Sequence, residues 1–206
     1  MLKVLGRITS INVRKVLWAL DELDLAFERE DWGMPLRDPK VPEFLALNPN
    51  GQVPVLIDGD FVLSESNAVL VYLAERENGR LLPEPLRERA RALQWLSWQG
   101  TELSTTWGYA FLGLARRSPG YDDADKIAAS IARWQPKMQI LEGQLQKSGD
   151  YVAGDAFSIA DIALGLSVHR WFSTPFDKPD LPIVEAYYRR LLGRPAGAKY
   201  MTKEMG

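Results

Sequence analysis

Asn48-Pro49-Asn50-Gly51-Gln52-Val53-Pro54-Val55-Leu56, followed by Ser64-Glu65-Ser66-Asn67-Ala68, decides how this chain is read. A proline inside a strand-like run removes a ladder donor and is normally confined to edges or bulges. Pro54 in that position implies a purpose. A cis Val53-Pro54 bond turns the chain so that the N–H and C=O of Val53 face outward, where they can pair with an extended, peptide-like ligand. Ser66 then opens a helix, and its hydroxyl together with the unbonded N–H groups of a first turn suits a carboxylate. A backbone clamp and an anion site lie within one segment.

Around this segment, short β-type runs alternate with helical ones. The pattern predicts strand Leu2 to Gly6, helix Ile11 to Leu23, strand Ala26 to Asp31, a short helix near Pro42 to Leu47, strands Val53 to Ile57 and Phe61 to Leu63, and helix Glu65 to Glu77. The pair Asp58-Gly59 between two β runs is a hairpin signal. The result is βαβαββα, a thioredoxin-like unit over residues 1–79. Gly79, Pro83 and Pro85 break both periodicities and mark residues 80–86 as a linker.

From residue 87 to 206 strand signals disappear, and an all-helical domain is expected. Leu93, Leu96, Leu103, Trp107, Phe111 and Leu114 keep near-helical spacing, as do Ile127, Ile131, Trp134, Met138, Leu141 and Leu145, predicting two long antiparallel helices with a kink at Pro136. Phe157-Ser158-Ile159-Ala160-Asp161-Ile162 reads as a capping box, with Ser158 as cap, Asp161 returning the bond, and Phe157 packing on Ile162 as a staple. A last helix from Leu181 to Leu192 and a tail complete the reading.

The chain has 206 residues, a formal net charge of -2 and 46% hydrophobic residues. Two compact cores are expected, and the charge balance points to neither nucleic acid nor an acidic membrane surface. The first residues run directly into a strand without the pattern of a signal peptide, so a cytoplasmic location is expected. The chain contains no cysteine and one histidine, His169. Disulfides, thiolate metal sites and a cysteine nucleophile are excluded, and any sulfur chemistry must come from a ligand.

Together with Gly6-Arg7-Ile8-Thr9-Ser10-Ile11-Asn12-Val13-Arg14-Lys15-Val16-Leu17-Trp18, these motifs resemble the cytosolic glutathione S-transferase superfamily, in particular its serine-type bacterial, phi/theta-like members. The likeness runs from the first strand to Arg194-Pro195. It implies a glutathione transferase that uses glutathione as co-substrate, without a metal, and joins its thiolate to small electrophilic hydrophobic or halogenated compounds. It also implies a homodimer, to which Val69 and Tyr72 could contribute. Two other readings stay open: a glutathione-dependent disulfide reductase or peroxidase, and a non-catalytic binding protein of the same fold.

By the same resemblance, Val53 and Pro54 hold the cysteinyl backbone, Ser66 takes the γ-glutamyl carboxylate, and Glu65 lies near the amine. Gln52 and Lys40 match positions at the glycine end, although Lys40 is equally read as a solvated surface lysine. Ser10 occupies the place of the serine that donates to the glutathione sulfur. A plain N-cap is its other reading, and Thr9 and Asn12 compete for the same role. A free thiol with a pKa of about 8.5 is mostly protonated at neutral pH, and a charge-assisted hydrogen bond lowers that value by about one to two units. The second substrate is expected across the domain boundary, against Trp107, Tyr109 and Phe111 and with Trp32, with Met201 and Met205 as possible cover. Aromatics at such spacing also commonly form core.

Overall fold

The computed structural model describes residues 1–202, which divide between Leu81 and Leu82 into two compact units. In the first, β1 (Leu2–Leu5), α1 (Ile11–Glu22), β2 (Phe27–Glu30), α2 (Pro42–Leu45), β3 (Val55–Asp58), β4 (Phe61–Ser64) and α3 (Ser66–Arg76) follow in the expected order. The strands form one sheet in the order β2-β1-β3-β4. β1 and β2 are parallel, and β3 runs antiparallel to both β1 and β4.

Strand alternation divides the core. Leu5 and Val55, which are register partners, join Trp32 and Phe44 in one buried cluster, with Val41, Leu47 and Val53 packed against it. The Trp32 and Phe44 rings lie 4.8 Å apart. Val4 and Leu56, next along the same strands, are 0% and 1% exposed and turn to the opposite face. α1 packs on α3 and buries nine of its twelve residues. At roughly 1.5 to 3 kcal/mol for each large apolar side chain buried, this packing outweighs the modest helix propensity of the β-branched Val13 and Val16. Val69, read as a dimer contact, is fully buried here, and the Tyr72 hydroxyl donates to Asp58 at 2.8 Å.

The second unit is helical: α4 (Leu86–Trp98), a π-helical turn (Gln99–Leu103), α5 (Gly108–Ala110), a second π turn (Phe111–Ala115), α6 (Ala124–Ser148), α7 (Ile159–Ser173), α8 (Pro182–Leu192) and α9 (Pro195–Tyr200). The first long helix predicted from periodicity is therefore broken between residues 99 and 115. Ser130, fully buried on α6, satisfies the break, since its hydroxyl donates to the Thr106 carbonyl at 2.7 Å and accepts from the Ala110 N–H at 3.2 Å. Such a bridge keeps buried backbone groups paired where the regular ladder stops. α6 continues through Pro136 over 25 residues. α9 was read as tail, yet Pro195 at its first positions is a start signal.

The capping box at Ser158 is present. The Asp161 carboxylate, 0% exposed, accepts from the Ser158 N–H and hydroxyl, from the Val152 N–H and from the Tyr187 hydroxyl, each at 2.9 Å. Burial pushes its pKa up and these four donors oppose that. The Phe157 ring meets Tyr151 and the Arg194 guanidinium. His169 is held at both ring nitrogens, Nδ1 by the Tyr188 hydroxyl at 2.7 Å and Nε2 by the Thr202 carbonyl at 2.8 Å. A carbonyl only accepts, so Nε2 carries the proton and Nδ1 accepts from Tyr188. This is a structural imidazole. Among the described residues no helix is long and apolar enough to cross a membrane.

Candidate functional site

One end of the sheet gathers the sequence motifs. Leu5 of β1 stands opposite Val55 of β3, and Val55 stands opposite Ser64 of β4. The three chains leaving or entering at that end are therefore neighbours: Gly6 to Ser10 after β1, Gln52-Val53-Pro54 before β3, and Glu65-Ser66 after β4. Gly6 comes closest to Val53, since a Cβ built on it would lie 3.3 Å from the Val53 Cβ.

Val53-Pro54 is a cis bond. Neither the N–H nor the C=O of Val53 takes part in a hydrogen bond among the described residues. β3 begins only at Val55, two residues later than the apolar run suggests, so Val53 precedes the ladder and stays outside it. Asn48, 2% exposed, shapes this loop from within: its Nδ2 donates to the Gln52 carbonyl at 2.8 Å and its Oδ1 accepts from the Asn50 N–H at 3.1 Å. Lys40 joins the same loop, with Nζ donating to the Asn50 carbonyl at 2.7 Å and its stem lying over Gly51. Glycine is required at position 51, where φ is +58° and a Cβ would meet Lys40 Cδ at 2.7 Å.

Glu65 is held at φ +66° and ψ +103°, a conformation that costs a non-glycine residue about 1–3 kcal/mol and recurs at ligand sites. It turns the chain from β4 directly into α3, whose first residue is Ser66. Ser66 is 7% exposed, and neither its hydroxyl nor its N–H has a partner among the described residues. An eleven-residue helix presents roughly half a positive charge at that point.

Ser10 is the residue before α1, and its carbonyl accepts the first helical bond from the Arg14 N–H at 3.0 Å. Its hydroxyl makes no capping bond. The N-cap reading thus accounts for the backbone of Ser10 and leaves its side chain unused. Thr9 differs, because its hydroxyl oxygen accepts from Arg7 at 2.9 Å. Asn12 is exposed on the first turn.

Several residues that hold this end together carry no sequence signal. Arg14 and Lys15, 2% and 3% exposed, look like surface cations of an amphipathic helix. Arg14 Nε instead donates to the Ile8 carbonyl at 2.7 Å, fixing the loop that carries Ser10. Lys15 Nζ donates to Asn67 Oδ1 at 3.0 Å, tying α1 to the start of α3 beside Ser66. Arg29 donates to the Gly6 carbonyl at 2.9 Å. Three cations thus brace the loops around the site through carbonyl and amide oxygens.

The aromatic candidates are placed otherwise. Trp32 is 3% exposed, packed on Phe44 and capped by the Arg37 guanidinium 3.5 Å from its ring. Trp107 and Phe111 are each 4% exposed, Trp107 against Trp134 and Phe111 under the Arg170 guanidinium at 3.9 Å. Large rings gain most by full burial, and these three are core in their own units, with little surface left for a ligand. Tyr109 is half-buried, packs at a tilt against Tyr121 and donates to the Gly120 carbonyl at 3.2 Å. Met201 is 4% exposed in the helical unit, and Met205 lies outside the described residues. No group of side chains suited to a metal ion occurs among the described residues.

Comparison with known proteins agrees with this geometry. Residues 1–75 match the family described as Glutathione S-transferase, N-terminal domain, and residues 124–190 match Glutathione S-transferase, C-terminal domain. Glutathione S-transferase GstB of Escherichia coli is 34% identical over 203 residues, 97% of each chain. Disulfide-bond oxidoreductase YfcG of the same organism is 31% identical, covering 93% of this chain and 91% of its own. Among solved structures, the theta class glutathione S-transferase from Xanthomonas axonopodis pv. citri with glutathione bound superposes with a TM-score of 0.93 at 33% identity, covering 100% of this chain and 99% of that one. With family matches over both units and relatives aligned almost end to end, this chain belongs to the glutathione S-transferase family.

Proposed function

We propose that this protein is a glutathione transferase that binds glutathione at the sheet end described above, ionises its thiol beside Ser10 and directs the thiolate at a small electrophilic hydrophobic or halogenated compound. The observation that supports the reading is the register of Leu5, Val55 and Ser64, which brings a loop with an unused hydroxyl, an unpaired backbone amide and an open helix start to one end of the sheet. The tripeptide has groups to match each of them. Its cysteinyl backbone pairs with the N–H and C=O of Val53. Its γ-glutamyl carboxylate meets the Ser66 hydroxyl and N–H, with Glu65 near the amine, and its glycine end reaches Gln52 and Lys40.

The chain has no thiol of its own, so the nucleophile is the ligand's. The Ser10 hydroxyl donates to the sulfur, and the N-terminus of α1 behind it favours the anion in the same direction. A hydrogen bond to a charged acceptor is worth about 1.5–3 kcal/mol, which brings the thiol to about half-ionised near neutrality or beyond. The thiolate then attacks an electrophilic carbon; the carbon–sulfur bond forms as the leaving group departs with its electron pair, or as an acceptor double bond takes up the charge and then a proton. The protein supplies ionisation and placement.

A second reading has one specific support, the end-to-end likeness to the oxidoreductase YfcG. In that reaction two glutathione molecules reduce one disulfide, giving glutathione disulfide and two thiols. A panel of aryl halides, haloacids, peroxides and small disulfides, assayed with glutathione on wild type and Ser10→Ala together, separates the two. Conjugate formation that collapses in the variant supports the transferase; disulfide turnover without any conjugate supports the alternative. The homodimer is part of the same proposal, with Phe61, 44% exposed beside Tyr72, as a contact, and sedimentation of the full chain tests it.

A further inference from the structure

The helical unit contains a cleft of about 420 Å³ where α4, the C-terminal end of α6 and the turn before α7 meet. Arg91, Gln94 and Trp95 line it from α4, Gln144 and Lys147 from α6, and Gly154 from the turn. Its volume is that of a small-molecule site, and it shares no residue with the sheet end that carries Ser10 and Ser66.

The chemistry of the cleft is one-sided. Two of its lining residues are cations and none is acidic. Neither Arg91 nor Lys147 enters an ion pair among the described residues, and the neighbouring Asp150 is committed to Arg190 at 2.7 Å. Trp95 is only 8% exposed, and its indole N–H has no acceptor among the described residues. That nitrogen is not fully buried, so an acceptor placed in the cleft can reach it. The side chain of Gln94 is exposed and makes no hydrogen bond among the described residues.

The wall opposite is fixed. Gln144 Nε2 donates to the Val152 carbonyl at 2.8 Å, and the Ser148 hydroxyl donates to the Gln144 carbonyl at 3.1 Å. The first bond ties the end of α6 to the turn, and the second lies within α6. Among the lining groups free of such duty, donors prevail: a guanidinium fork, an ammonium, an indole N–H and an amide.

We propose that this cleft binds a small phosphomonoester. Two cations and two further N–H donors match a group with close to two negative charges and three strongly accepting oxygens better than they match a single carboxylate. The edge of Trp95 that lines the cleft and the Ala153 methyl then flank the organic part of the molecule.

The test uses the full chain and three probes: adenosine 5′-monophosphate, inorganic phosphate and citrate. Calorimetry is expected to show saturable binding of the organic phosphate, tighter than inorganic phosphate and citrate. One indole N–H resonance, absent from Trp95→Phe, is expected to shift in the same titration. Arg91→Gln and Lys147→Gln, both at exposed positions, are each expected to weaken binding at least about tenfold while leaving glutathione titration unchanged. Absence of saturable binding at millimolar probe, binding that neither glutamine replacement weakens, or citrate binding as tightly as the organic phosphate would each overturn the proposal. Should Trp95→Phe fail to fold, the two glutamine variants still decide the matter.

Discussion

Gly6 and Val53 come so close at the end of the sheet that a methyl group on Gly6 would sit 3.3 Å from the Val53 Cβ, and 2.4 Å from Val13 Cγ2 on its other side. The first distance can be relieved by small shifts; the second cannot. Gly6→Ala must displace either α1, which carries Val13 in its fully buried core, or the clamp at Val53. Overpacking of this kind costs about 1–3 kcal/mol. We expect a lower denaturation midpoint together with weaker glutathione binding, whereas Gly59→Ala, at a turn with open space around it, leaves binding intact. Denaturant titration and calorimetry on the two variants check this.

Ser10→Ala separates chemistry from folding. A serine that caps its helix through its side chain contributes about 1 kcal/mol, but the Ser10 hydroxyl makes no such bond. Stability should therefore change by less than about 0.5 kcal/mol. Loss of a hydrogen bond to a thiolate predicts a fall in kcat/KM of roughly ten- to 150-fold, with little change in glutathione affinity. Steady-state kinetics and thermal unfolding of the same preparation give both numbers.

Ser66→Ala should divide the parameters the other way. In the proposed complex its hydroxyl and N–H at the start of α3 face the carboxylate in both ground and transition states, so its loss is expected to remove uniform binding. KM for glutathione should rise about five- to thirtyfold at nearly constant kcat. Ser66→Asp should be worse, because the new carboxylate occupies the helix terminus itself and repels the ligand's.

Away from the site, Asp58 gives a pH dependence of known sign. Its carboxylate accepts from the Tyr72 hydroxyl at 2.8 Å and from Arg76 at 3.0 Å, and these hold its pKa below the usual 3.8, the tyrosine contribution foremost. A carboxylate more acidic in the folded chain stabilises it fully above the unfolded value and loses that contribution as pH falls through 3.8 toward the folded one. Denaturant midpoints measured between about pH 3 and 6 should fall less steeply toward acid in Tyr72→Phe than in wild type.

The readable parts of this molecule are those in which local chemistry decides. Alternation and turn residues place all four strands of the first unit within a residue or two. Pro54 sets the start of β3, and Ser158 and Asp161 set the start of α7. Less legible are features decided by neighbours distant in sequence. The spacing from Leu93 to Leu114 continues a helical period through a break that only Ser130, on another helix, makes tolerable. Trp32, Trp107 and Phe111 show the same apolar surface whether they line a cleft or fill a core. Arg14 and Lys15 are buried because Ile8 and Asn67 lie within reach, which no local pattern reveals. At Ser10 the sequence offers a donor for the proposed site, and the structure adds that its hydroxyl is not consumed in capping.

In the proposed reaction this chain lowers the pKa of a thiol it does not own. Because the protein contains no cysteine, the ultraviolet absorbance of thiolate in the complex belongs to glutathione alone. Titrating that absorbance from about pH 5 to 9.5 should place the bound thiol about one to two units below its free value of about 8.5 in wild type, and back near the free value in Ser10→Ala. Identical titration curves for the two proteins, or no thiolate signal from bound glutathione below the free pKa, would contradict the account.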